Sequence, residues 1–365
     1  KRKMLSLKVA AYFSAVYQLL THYNWWSGFF DSFIMILWHH RPLSFSKEMI
    51  KASDGETYAI WTPKTQTSLY HDAAIMKHHQ SKRPHIWICL PGGMESIDPA
   101  MTALHSFDTF KGSKICMFNN PGISTNMVNT PLVSPTEPKY LIDYIRYLQN
   151  VYNYDVSLIG FSIGTVHALR AVHTICNHPE KYNGLKLTSV ILVHGPDKVR
   201  EAVCSFQQNW LFRMDLYFAL HIQRLHYMSN SWNMIKPNVS KYPFEGWSYI
   251  EEVTSVTLNK EWSECEEEYF NLRRFCDESI ECVPVLRIIA KNDFVVPFES
   301  IDEKYFKHLK QVLISERGGH CGVSRCNKTL EAIAKWNDDI IQNANVNEKV
   351  HKQCLDAYHC GSIAC

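Results

Sequence analysis

The sequence predicts an α/β chain with a mostly parallel central sheet flanked by helices and a helical insertion late in the sheet. Three observations predict it. Short apolar runs rich in Val and Ile recur at His85–Leu90, Lys114–Phe118, Val156–Gly160, Ser189–His194, Val285–Ala290 and Gln311–Ser315. They alternate only weakly, as strands covered on both faces do. Between two of these runs, Leu141, Tyr144, Ile145, Leu148 and Val151 recur at helical spacing and mark a core-facing stripe. Finally, one run ends in Gly160-Phe161-Ser162-Ile163-Gly164, a G-x-S-x-G string that passes from strand into helix. Strands alternating with helices imply a parallel sheet with right-handed crossovers.

Length and composition allow this architecture and exclude others. The chain of 365 residues can bury a large core, and 46% apolar against 20% charged residues describes an ordinary folded protein. A net charge of +2 provides no basic field, so no nucleic-acid partner is expected. The 12 cysteines contain no Cys-x-x-Cys pair and no zinc spacing, so no metal is expected. Cys89 and Cys116 fall inside strand-like runs and read as reduced core residues.

Residues 1–45 form an N-terminal segment expected to be helical. Val9 to Leu20 is apolar behind Lys1, Arg2, Lys3 and Lys8 but shorter than the ~20 residues a spanning helix needs. Trp25 to Trp38 is aromatic, interrupted by Asp31. The stretch reads as two amphipathic helices packed on the domain or as an interfacial membrane contact. The expected location is accordingly membrane-associated or intracellular. The triplets Asn238-Val-Ser240 and Asn327-Lys-Thr329 leave a luminal one open.

Residues 46–197 read as the first part of the α/β core. Pro138 starts its first helix, with Thr136 or Glu137 ahead of it as cap. Residues 198–281 break the rhythm. They are helix-like and aromatic, with Trp210, Phe212, Tyr217, Phe218, Tyr227, Trp232 and Trp247. An insertion of roughly 80 residues between neighbouring strands is too long for a connection and should form a cap. Residues 282–345 complete the core, and 346–365 form a tail without strong pattern.

The G-x-S-x-G string in its strand-to-helix setting points to the α/β-hydrolase fold, in which a sharp turn presents a nucleophilic serine, here Ser162. The helix behind it offers a positive dipole and the Ile163 N–H for a developing oxyanion. In this fold the acid and base follow in the order Ser, Asp, His. Asp293 comes after the Val285–Ala290 run and His320 after the last run, each at a strand end. Asp197, after Ser189–His194, is the rival acid. Leu90-Pro91-Gly92-Gly93-Met94 can provide the second oxyanion donor, with Gly93 favoured and Met94 the alternative.

These residues resemble the α/β-hydrolase-domain family of membrane-anchored animal lipid hydrolases and the YheT-type bacterial esterases. The resemblance runs from about Asn24 to Val323. Asn24-Trp25-Trp26-Ser27-Gly28, Arg41-Pro42 and Ser53-Asp54-Gly55 are similar to its opening segment and first hairpin. Phe118-Asn119-Asn120-Pro121-Gly122 is similar to its Phe-Asn-x-Arg-Gly segment. Glu267-Glu268-Tyr269-Phe270, Val283-Pro284-Val285-Leu286 and Ala290-Lys291-Asn292-Asp293 resemble the stretch through the acid. Gly319-His320-Cys321-Gly322-Val323 resembles its Gly-His-x-Gly-Phe. The chain departs from the family pattern in three places. Pro121 stands where Arg is usual, Thr165 where Gly commonly follows the elbow, and the glycine loop after Pro91 is atypical.

The resemblance implies a small-molecule or lipid ester as substrate, no metal, no organic cofactor, and in many members a membrane anchor. It also implies acyltransferase activity in some members, tied to a His-x4-Asp string that His351 to Asp356 fits. The expected chemistry is ester cleavage through an acyl-enzyme on Ser162, with acyl transfer or a non-catalytic binding role as alternatives. The oligomeric state is left open.

Overall fold

Why the apolar runs become strands is visible in how they are buried. In the computed structural model, residues 45–64, 66, 83–92, 113–121, 137–182, 184–198, 201–202, 262–265, 283–301, 311–322, 327–344 and 362–363 are described. The expectations for residues 1–44, for Gly93 and Met94, for most of the 198–281 insertion and for His351–Asp356 lie outside them.

Nine strands make one sheet: β1 Phe45–Lys51, β2 Thr57–Pro63, β3 His85–Leu90, β4 Ser113–Asn119, β5 Asp155–Phe161, β6 Leu187–Val193, β7 Val285–Ala290, β8 Val312–Ser315 and the two-residue β9 Ser362–Ile363. Their order is β1-β2-β4-β3-β5-β6-β7-β8-β9. β1 and β2 form an antiparallel hairpin, and β2 joins β4 antiparallel. Every other pairing is parallel. Three long helices accompany the sheet: α1 Lys139–Tyr152, α2 Ile163–Asn177 and α3 Asn327–Ala344.

Because side chains alternate along a strand, each central strand serves two cores. On one face Ile86, Ile88, Leu90, Val156, Leu158, Val190 and Leu192 pack with α1 and α2, through Leu141, Ile145, Val166 and Leu169. On the other, Trp87, Ile115, Ile159, Ile191 and Ile288 pack against Ile333, Trp336 and Ile340 of α3. Burial of side chains this size stabilises by roughly 1.5–3 kcal/mol each. Cys89 and Cys116 are buried, one on each face.

The sequence boundaries shift slightly. β3 and β7 match their runs, whereas β6 stops at Val193, and His194 adopts φ 53 beyond it. In α1 the stripe holds for Leu141, Tyr144, Ile145 and Leu148 but not for Val151. Val151, in the last turn before the left-handed Asn153 ends the helix, is 44% exposed. Pro138 is the N-cap, and the Glu137 carboxylate accepts the Lys139 N–H at 3.2 Å.

An eight-stranded run with an antiparallel second strand, a β4/β3 order swap and an elbow after β5 is the α/β-hydrolase fold. Its consequence for function is positional. The C-terminal ends of β3, β5, β6, β7 and β8 all open on the same edge of the sheet, where groups from distant sequence can meet.

Candidate active site

The site is built from one residue after each of four consecutive strands in the sheet: Ser162 after β5, His194 after β6, Asp293 after β7 and His320 after β8.

Ser162 takes φ 52 and ψ −122 between β5 and α2. A non-glycine residue rarely occupies that region, and it persists only where its surroundings enforce it. Here the ladder and the helix enforce it together. The Ser162 N–H donates to Val193 O at 2.9 Å, closing β5 onto β6. The Ser162 carbonyl accepts both the Thr165 N–H, at 3.0 Å, and the Thr165 hydroxyl, at 2.7 Å. The flanking glycines make the turn sterically possible. A Cβ on Gly160 would meet Gly164 carbonyl carbon and Thr165 N at 2.7 Å, and one on Gly164 would meet Pro91 O at 2.7 Å.

Thr165, the departure from the family pattern, is accommodated across the gap to β6. A Cβ on Gly195 would meet the Thr165 Cβ and Cγ2 at 2.6 Å. The bulk gained after the elbow is therefore balanced by a glycine on the facing loop. The Pro91-Gly92 loop also reaches the elbow, since a Cβ on Gly92 would lie 3.5 Å from Ser162 Cβ. Gly93, the next residue, lies outside the described residues. Ile163 opens α2, so its N–H is among those at the positive end of a 15-residue helix.

Asp293 and His320 are brought together. His320 Nδ1 donates to Asp293 Oδ2 at 2.9 Å and sits 3.1 Å from Oδ1. The Val295 and Val296 N–H groups donate to Asp293 Oδ1 at 2.8 and 2.9 Å, fixing the carboxylate from the backbone side. Burial alone would push the Asp293 carboxyl up. The charge of His320 and the contacts from both neighbouring imidazoles outweigh it and hold the carboxyl well below its ordinary range. Upstream of His320, the Gly319 N–H donates to Asn292 Oδ1 at 2.9 Å, tying the histidine turn to the residue before the acid.

The rival acid is engaged elsewhere. Asp197 pairs with Arg287 at 2.5 Å, both side chains 3% exposed, and the same guanidinium donates to Gly195 O at 2.7 Å. Asp293, not Asp197, is the carboxylate that meets His320.

One site residue escapes sequence reasoning. His194 reads as the last residue of an apolar strand, yet it turns left-handed and is 2% exposed. Its Nδ1 lies 3.1 Å from Asp293 Oδ2, off the line a straight hydrogen bond requires, and its ring centroid is 5.7 Å from that of His320. Burial holds it below the ordinary imidazole range against the pull of Asp293, and the charge of His320 acts in the same direction as burial. The only sequence signal was the Gly195-Pro196 pair that follows and stops the strand. His194, Asp293 and His320 offer ligand atoms within 4.8 Å of one another, a spacing a cation could use. The atoms facing one another are, however, already engaged in the imidazole–carboxylate contacts.

No protein-family model matches the chain, and no curated protein matches it. Among solved structures it is similar to an esterase of Pyrococcus furiosus, at 13% identity over 82% of this chain and 90% of that one, with a TM-score of 0.47. A fungal esterase of Rhizomucor miehei is similar at 14% identity over 86% and 90%, with a TM-score of 0.49. An esterase of Pyrobaculum calidifontis matches at 13% over 87% and 92%, with a TM-score of 0.48. Identities this low describe form and not substrate, and the fold rests on the chain's own strand order and elbow.

Proposed function

We propose that the chain is a carboxylic ester hydrolase working through an acyl-enzyme, with Ser162 as nucleophile, His320 as base and Asp293 as orienting acid. The observation that carries the reading is the Asp293–His320 hydrogen bond delivered to the sheet edge where Ser162 stands in its left-handed turn. With Nδ1 committed to the carboxylate, Nε2 is the nitrogen left to take the Ser162 proton. The serine oxygen then bonds to the ester carbonyl carbon. His320 returns the proton to the departing alcohol, and water repeats the sequence to release the acid. The Ile163 N–H is one donor to the oxyanion, and the sequence offers Gly93, with Met94 the alternative, as the second.

The finer reading is an acyl-lipid ester, supported by the aromatic composition of residues 198–281 and of Trp25–Trp38 and by the family resemblance. The same segments support contact with a membrane surface, although no helix among the described residues is long and apolar enough to cross one. Acyl transfer to an alcohol would use the same intermediate.

A fluorophosphonate probe tests the reading. Folded wild-type protein is expected to be labelled at Ser162 and to hydrolyse esters. Ser162→Ala should abolish labelling and lower kcat by on the order of 10^6-fold. Unlabelled folded protein, or labelling that survives the substitution, overturns it. Adding a competing alcohol to the same reaction separates hydrolysis from transfer by its products.

A further inference from the structure

A buried histidine placed against a carboxylate that already serves another histidine has no role in the three-residue reaction just described. His194 occupies that place. It follows Val193, whose carbonyl receives the Ser162 N–H, so it stands one residue beyond the rung that closes the elbow. Its own N–H donates to Ile288 O at 3.0 Å, which fixes its backbone to β7, the strand that leads to Asp293. The left-handed φ of 53 is what turns the ring from the strand direction toward the carboxylate. A β-branched or bulky apolar residue would resist that conformation.

We propose that His194 is a positioning residue for the Asp293–His320 pair: its imidazole takes a share of the Asp293 carboxylate through Nδ1–H and thereby limits how tightly that carboxylate holds the His320 proton. The inference rests on the hydrolase reading above.

The geometry carries this in three ways. The two imidazoles approach the same oxygen, Oδ2, at 2.9 Å for His320 and 3.1 Å for His194. The remaining oxygen, Oδ1, is held by the two backbone N–H groups of Val295 and Val296, so the carboxylate cannot rotate to favour one histidine. The charged groups around His194 are Asp293 from the loop after β7 and His320 from the turn after β8. The nearby Arg287–Asp197 pair is closed on itself and on Gly195 O. Among the described residues Asp293 is the carboxylate that faces the ring, with Nδ1 3.1 Å from its Oδ2, and burial favours the neutral imidazole. Neither ring nitrogen makes a straight hydrogen bond among the described residues, so the 3.1 Å approach of Nδ1 to Asp293 Oδ2 is the polar contact the ring has there.

The sign of the effect is the same in either protonation state of His194. A neutral Nδ1–H donor drains charge from Asp293, and a protonated ring would add repulsion toward His320. Removing either makes His320 easier to protonate, so the acid limb of the pH profile should move upward.

The test compares His194→Gly with His194→Asn. Glycine accepts the left-handed backbone and removes the donor, whereas asparagine tolerates that backbone and places an amide N–H near the position of Nδ1. With a soluble ester, the acid limb of kcat/KM is expected to rise by about 0.5–1 pH unit in His194→Gly, with KM unchanged. In His194→Asn it should stay close to wild type. A His194→Gly profile that superimposes on wild type, or an equal shift in both variants, overturns the proposal.

Should His194→Gly fail to fold, nitrogen NMR of histidine-labelled wild type decides, with His194 assigned from the resonance lost in His194→Asn. The Nδ1–H tautomer supports the proposal, and the Nε2–H tautomer, which turns no proton toward Asp293, overturns it. Failure of the hydrolase reading is recognised separately, as wild-type turnover that does not depend on Ser162.

Discussion

Among the described residues the sheet holds two clusters in which histidine meets polar side chains, one toward each end of its strands, and they differ in almost everything that chemistry requires. At the C-terminal ends stand Ser162, His194, Asp293 and His320. Toward the N-terminal ends, under α3, His85 Nδ1 and Nε2 lie 2.9 Å from the hydroxyls of Ser113 and Ser157. Ser157 continues to Ser189 at 2.7 Å, and Ser189 donates to Asn337 of α3 at 3.2 Å. In that second cluster a serine and a histidine are in direct hydrogen-bond contact, yet Ser157 is fully buried within β5, and among the described residues both ring nitrogens meet hydroxyls rather than a carboxylate. A Ser–His distance is therefore a poor guide to function. A left-handed serine, an oriented imidazole and a shared sheet edge discriminate better, and only the first cluster has them.

The sharpest way to break this comparison is to substitute one residue in each cluster. Asp293→Asn should lower kcat by about 10^4-fold, because the amide can no longer hold the imidazole in the accepting tautomer. Ser157→Ala should leave kcat unchanged while lowering stability by about 1–3 kcal/mol, the cost of leaving buried partners unsatisfied. Steady-state kinetics and urea unfolding on both variants read this out, and a large kcat loss in Ser157→Ala would erase the distinction.

The next effect is in pH. Burial lowers the His85 pKa from 6.5 to about 4. Because the folded value lies below the unfolded one, the unfolded chain binds more protons between the two. Stability contributed at pH 7 is then lost as pH falls from 6.5 toward 4, by roughly 3 kcal/mol from this group. His85→Gln should flatten the urea midpoint between pH 7 and 4, and an unchanged slope would show that His85 does not carry it.

The smallest effect tests the steric balance at the elbow. Gly195→Ala should cost about 1–3 kcal/mol through overpacking on Thr165. Thr165→Gly combined with Gly195→Ala should recover part of that loss in thermal unfolding, whereas strictly additive losses would show that the two positions are independent.

How much of this was legible in the sequence depended on whether a residue's partner lay within its own element. Buried strands such as β3 and β7 announced themselves, since both faces demand apolar residues. β1 did not read as an apolar run, because it is an edge strand whose residues, Met49 among them, are largely exposed, whereas β2 is mostly buried but mixes Thr57, Thr62 and Pro63 with its apolar residues. That hairpin was visible only through the resemblance carried by Ser53-Asp54-Gly55. The elbow was legible because its glycines and serine are contiguous. Strand-end placement already favoured Asp293 as the acid, but what engages Asp197 was hidden, because that turns on Arg287, a charged residue inside an apolar strand whose partner lies 90 positions away. His194 was hidden for a related reason: no local pattern reveals that a strand's last residue has turned left-handed toward a carboxylate about a hundred positions later.

The rung from the Ser162 amide to the Val193 carbonyl links the proposed nucleophile to the cooperative core. Tied to β6 by that bond, the elbow should keep its shape while the sheet remains paired. Heat should therefore extinguish catalysis and melt the sheet as one event. The fold's endurance then becomes the working lifetime of the proposed nucleophile.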